Sequence, residues 1–176
     1  MSEITLRIAT EIDESKAEFI ADIVNKVYKE SEGKIWIDEH TRTSKNRILN
    51  TIHAKELILA LKNDKFYGCI HLERINETKF RFKMLVANPE YKRTGIGSKL
   101  VTYAEQQAKN AGANRMQLEL LVPTDFEHND KIFLTNWYTR IGYQYISEHN
   151  VDYVHQGISK LLKTGCVAKV YEKDLA

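Results

Sequence analysis

At 176 residues, with 43% hydrophobic and 28% charged side chains, the chain has the balance of a globular domain long enough to bury one substantial core. Its 26 basic and 24 acidic residues leave a net charge of only +2, which argues against a nucleic-acid binder that works mainly by neutralising phosphates. Any attraction to an anion must therefore be local. Cys69 and Cys166 stand far apart without metal-type spacing and are expected as reduced thiols. The start, MSEITLRIATEIDES, lacks the basic opening and apolar stretch of a signal peptide, and no segment approaches the roughly 20 apolar residues of a spanning helix. A cytoplasmic protein without a membrane partner is the expectation. With no repeat, low-complexity tract or linker, residues 1–176 read as a single domain.

The elements follow in order. Ile4, Leu6 and Ile8 alternate and predict a strand over 4–9. Asp13, Glu14 or Ser15 suits the cap of a helix with Phe19, Ile20, Ile23, Val24 and Val27 inward. Residues 29–44 read as irregular, and a second helix runs from Ser44 to about Ala54 with Ile48, Leu49 and Ile52 inward. ELILAL (56–61) and FYGCIHLER (66–74) read as strands joined by a turn at Asn63–Asp64. KFRFKMLVA (79–87) alternates Phe80, Phe82, Met84 and Val86 on one face. The best helix spans Gly95 to Gly112, with Ile96, Leu100, Val101, Ala104 and Ala108 facing inward. A strand at 115–123, a helix over Lys131–Ile141 ending at Gly142, and two closing strands, YQYIS and CVAKVYEK, complete a mixed α/β domain.

One turn carries chemistry. In NPEYKRTGIGSKL (88–100), Gly95 and Gly97 stand where a turn becomes a helix, among Lys92, Arg93, Ser98 and Lys99. A helix start leaves about four N–H groups without partners and about half a positive charge. Glycine lets a phosphate reach them. On the glycines alone, a tight strand-to-helix turn with solvated basic residues is the plainer reading. The spacing fits neither a nucleoside-triphosphate P-loop nor the dinucleotide G-x-G-x-x-G, since position 100 is Leu.

Together, KMLVANPEY, the helix after it and NWYTRIGY resemble the GNAT-type N-acetyltransferase superfamily, and the likeness runs from LRIATEID to the last strand. MQLELLVPTDFEHNDKIFLTNWYTRIGY further resembles a subgroup of it. The superfamily's [QR]-x-x-G-x-[GA] turn has Lys92 at its first position, with Gly95 and Gly97 matching and Arg93 replacing a frequent glycine. The resemblance implies an α/β (α+β) fold: a mostly antiparallel mixed sheet flanked by helices, with a splayed strand pair forming an acetyl-CoA cleft. It implies pyrophosphate contacts at Lys92, Arg93, Thr94, Gly95, Ile96, Gly97 and Ser98, and a pantetheine arm along Leu85, Val86 and Ala87 opposite Glu119–Leu121. An amide near Val86 would serve the oxyanion. The family's frequent Asn is Lys131 here, and Asn129 is the substitute contact.

Tyr138, four residues before Gly142, is the implied acid for the departing thiolate; the alternative is plain packing. The early strand Glu of some relatives falls among Arg81 and Lys83, so Glu119 is the candidate base, acting through water, with ordered water alone as the alternative. Trp36, Asp38, Glu39 and Arg42 form the candidate acceptor group: the carboxylates for an ammonium, Arg42 for a carboxylate. A helix cap, an ion pair and core packing are the bland roles for the same residues. His128 is expected at the surface, and the six histidines show no metal spacing, so no metal is expected. The implied activity is acetyl transfer from acetyl-CoA, as co-substrate, to an amine, a small molecule by preference, by direct attack in a ternary complex. A non-catalytic acyl-CoA sensor and a protein-directed N-acetyltransferase are the alternatives. Nucleic-acid or partner binding through Lys45, Arg47, Lys92, Arg93 and Lys99 is the weakest reading, and residues 143–171 offer strands that two subunits could exchange in a homodimer.

Overall fold

The computed structural model describes residues 3–176. β1 (Thr5–Ile8) pairs antiparallel with β2 (Leu57–Lys62), which turns into β3 (Lys65–Arg74). That turn puts Asn63 and Asp64 at φ 50 and 62, the left-handed pair of a tight hairpin, where Asn and Asp are the cheapest residues after glycine. β4 (Lys79–Ala87), α3 (Ile96–Asn110), β5 (Arg115–Pro123), α4 (Asn129–Arg140), β6 (Gln144–Asn150) and β7 (Cys166–Asp174) follow. The sheet order is β1-β2-β3-β4-β5-β7-β6, and only β4 and β5 run parallel. α3 and α4 cover one face over Phe80, Phe82, Met116, Leu118 and Tyr143. α1 (Ala17–Glu32) and α2 (Lys45–His53) cover the other over Leu57, Leu59 and Cys69. No helix among the described residues is long and apolar enough to cross a membrane.

Several elements differ from the sequence reading for identifiable reasons. Asp13 does not cap α1: it is fully buried, accepts from the Thr10 amide at 2.9 Å and pairs with Arg7 at 2.7 Å, closing a 3-10 turn at Glu11–Lys16. Phe19 is exposed and meets Phe66 edge-on instead of facing the core. α1 continues through Lys29 to Glu32, whose carboxylate accepts from Trp36 Nε1 at 2.6 Å and locks the last turn. β4 does not keep one face. Lys83 stands opposite His71 and Val86 opposite Cys69, so Met84 is an extra residue, held at φ 54 in a bulge. Phe80 and Phe82 therefore face α3, while Met84 and Val86 face α1 and α2. Cys69 and Cys166 are free thiols, as expected, and burial pushes them up to about 12 and about 11.

Candidate active site

β4 and β5 pair over only three positions, Lys79–Arg81 against Arg115–Gln117, and then separate. The Asn88 amide donates to Tyr67 O at 2.8 Å, and its buried side chain donates to Phe66 O and accepts from the Glu90 amide. Strand alternation turns the Val86 amide the same way, toward Cys69, and leaves the amides of Leu85 and Ala87 on the gap side. The expectation was an oxyanion donor near Val86, and the amides of its neighbours Leu85 and Ala87 are the ones on the gap side. Gly68 makes the close approach of β3, β4 and α3 feasible: a Cβ there would lie 2.4 Å from Val86 O and 2.8 Å from Ile96 Cγ2.

Gly95 caps α3 at φ 69, and the first amide to bond back into the helix is that of Lys99, to Gly95 O at 3.1 Å. The amides of Ile96, Gly97 and Ser98 have no acceptor among the described residues. Arg93 is also left-handed, at φ 60, and Thr94 Oγ1 donates to Tyr91 O, tightening the turn into a nest of N–H groups. Lys92, Arg93 and Lys99 are exposed and make no ion pair among the described residues. A Cβ on Gly97 would lie at ordinary contact distance, 3.6 Å, from the Trp137 ring of α4.

Tyr138 lies inside, packed against Phe82, Trp137 and Tyr143 at centroid distances of 5.8, 4.8 and 5.9 Å. Burial, helped by nearby Tyr28, holds its phenol well above the usual range. Its hydroxyl has no hydrogen-bond partner among the described residues. Lys131, at the family's Asn position, is buried and ion-paired with buried Glu32. Asn129, the first residue of α4, is exposed. His128 is half-buried at the surface: Nε2 contacts the Ser31 carbonyl at 2.9 Å and Nδ1 is buried without a partner among the described residues. Ser31 Oγ also donates to Asp130 at 2.8 Å, so the end of α1 is tied to the start of α4. Beside that tie, a groove of about 500 Å³ runs along Val122, His128, Ile132 and Lys169.

Trp36, Asp38 and Arg42 line a second, smaller cavity of about 50 Å³ with Tyr28, Glu32 and His40. Trp36 stacks on His40 at 4.1 Å, and Arg42 lies 5.0 Å over the Tyr28 ring. The segment is pinned by Ile37 N to Leu161 O and Lys163 N to Ile35 O, at 2.9 and 2.7 Å. The structure does not bring Glu39 to the cavity, and Asp38 is engaged by Lys163 at 2.5 Å, which holds its carboxyl below the usual range. Glu119 faces the α1 side of the sheet, accepting from Arg81 Nη1 at 2.9 Å and contacting His155 Nε2 at 3.2 Å. Arg81 also binds Glu73 at 2.6 Å. Glu32, Lys131, Tyr28 and Asn88 were not singled out from sequence as site residues. The i, i+4 spacing of Glu32 and Trp36 was the available signal, hidden because residues 29–32 read as irregular. No group of three or more metal-ligating side chains occurs among the described residues.

The fold has many solved counterparts. N-acetylglutamate synthase from Neisseria gonorrhoeae, complexed with coenzyme A and N-acetyl-glutamate, matches at TM-score 0.68 and 17% identity over 100% of this chain and 36% of that one. This chain therefore spans about a third of the synthase's length. PaiA N-acetyltransferase from Thermoplasma acidophilum, in complex with coenzyme A, matches at TM-score 0.71 and 18% identity, covering 98% of this chain and 99% of that one. An aminoglycoside 6'-N-acetyltransferase from Enterococcus faecium matches at 0.70 and 14%, covering 98% and 97%. No curated protein matches in sequence. At these identities the likeness establishes the fold. The sequence profile of the acetyltransferase (GNAT) family matches residues 19–131, from α1 to the first turn of α4, and the chain belongs to that family.

Proposed function

We propose that the protein transfers the acetyl group of acetyl-CoA to the amine of a small molecule by direct attack in a ternary complex. The observation that carries this reading is the gap after Arg81–Gln117, with strand amides on one wall and the open amides of α3 at its end. Ile96, Gly97 and Ser98 would hold the pyrophosphate, with Lys92, Arg93 and Thr94 around it. Leu85 and Ala87 would hold the pantetheine arm as an added strand would. The Leu85 amide then faces the developing oxyanion.

Tyr138 keeps its proton at neutral pH, because burial raises the phenol, and the same apolar surroundings raise any thiolate that leaves beside it. Proton transfer to sulfur is its role. Glu119, fixed by Arg81 on the acceptor side, would take the amine's proton through a water. The test is thiol release from acetyl-CoA against a broad amine panel. Tyr138→Phe should lose about 100-fold in rate with coenzyme binding retained. Glu119→Gln should lose rate at neutral pH and recover as pH rises toward the acceptor's own pKa. Coenzyme binding without thiol release for any amine would favour the non-catalytic sensor.

A further inference from the structure

Three half-buried arginines occur among the described residues: Arg7, Arg42 and Arg81. Arg7 is answered by Asp13, and Arg81 by Glu73 and Glu119. Arg42 pairs with no carboxylate among the described residues, although it lines the cavity of about 50 Å³ at the end of α1. The carboxylates nearby are already committed. Glu32 serves Lys131 and Trp36, and Asp38 serves Lys163. His40 is stacked on Trp36, and burial, with Arg42 next to it, favours its neutral form. The cavity thus holds the half-buried Arg42, exposed Lys29 at its rim, aromatic walls, and two carboxylates, Glu32 and Asp38, that are each engaged by another lysine. A guanidinium withdrawn from bulk water in this way is costly unless an anion answers it.

We infer that the acetyl acceptor carries a carboxylate as well as its amine, and that Arg42 receives that carboxylate. This rests on the acetyl-transfer reading. The planar guanidinium fork matches a carboxylate in two parallel hydrogen bonds, and the cavity has room for such a group and little more. Lys29 also lines the cavity but is exposed, so the withdrawn cation is Arg42 alone, and phosphoethanolamine in the test separates a phosphate from a carboxylate. Tyr28 links the two ends of the site: its ring lies under Arg42, and it stands near enough to Tyr138 to raise that phenol. Acetyl transfer then requires that an amine a few bonds from the bound carboxylate reach the gap. An amino acid is the simplest molecule of this kind.

The experiment measures thiol release with amino acids, each paired with its decarboxylated amine, and with phosphoethanolamine. At least one amino acid should exceed its decarboxylated partner by about 100-fold or more in kcat/KM, because a buried group built for a polar partner rejects the analogue that lacks it. Arg42→Gln should erase that difference, mainly through KM, and Arg42→Lys should restore part of it. Melting curves on both variants establish that they are folded. Equal turnover within every pair, a preference that survives Arg42→Gln, or phosphoethanolamine as the best acceptor each overturns the inference. Should no amine release thiol, the acetyl-transfer reading falls alone, and Trp36 fluorescence decides this one. Quenching by an amino acid, absent with its decarboxylated partner and lost in Arg42→Gln, upholds carboxylate capture, and indifference to the carboxylate overturns it.

Discussion

Asp13 shows how one side chain sets a local conformation and a pH response together. Fully buried, it accepts from Arg7 at 2.7 and 2.8 Å and from the Thr10 amide. The hydrogen bond from Arg7 is the largest influence holding its carboxyl below the ordinary range. A depressed folded pKa means that the stabilisation is complete above the unfolded value, about 3.9, and is lost as pH falls through the lower folded value. Asp13→Asn should cost about 2 kcal/mol at pH 7, less than a fully buried pair would lose because Arg7 reaches water. Urea midpoints from pH 6 to pH 2 should fall less steeply in the variant. Legibility at this scale was uneven. The left-handed turn at Gly95 that opens α3 and the place of Tyr138 on α4 could be read, because such spacings are requirements of a turn and a helix face. Glu32 and Lys131 could not, since each gains meaning only from a partner 99 positions away.

Periodicity located nearly every strand and helix, because each buries one face. It could not show the bulge in β4: KFRFKMLVA alternates without a break, and only the left-handed φ of Met84 sends Phe82 and Val86 to opposite layers. The contact between α1 and α4 was equally hidden. Their buried Glu32–Lys131 pair should behave as a unit. Lys131→Met alone should cost about 3–5 kcal/mol by stranding the Glu32 carboxylate, whereas Lys131→Met with Glu32→Leu should recover most of it. A urea double-mutant cycle measures the coupling. Gly68→Ala tests the β3–β4–α3 junction: the added methyl meets Val86 backbone oxygen and has nowhere to go. It should lower stability by about 1–3 kcal/mol and weaken coenzyme binding by displacing β4.

For the whole molecule, the alternation of strand and helix patterns specified a mixed α/β domain, and the motif turn pointed to the family that the profile match establishes. The parallel register of β4 and β5 was not readable from either strand, because it is decided by how α3 crosses between them. If acetyl-CoA lies in the gap, it should raise the melting temperature with a dependence on its concentration, by about 2.7 kcal/mol of added stability at 100 times Kd. Double-stranded DNA at equal phosphate concentration should raise it far less.

The shortness of the β4–β5 contact has a mechanical consequence. β1–β4 and β5–β7 are two rafts whose backbones are stitched together along three residue pairs only, and α1 and α4 form a strut across the open end. A long, thin guest lying in the cleft laces the rafts along their free margins. Its arrival should stiffen the molecule more than reshape it, and amide exchange should slow most at Leu85 and Ala87.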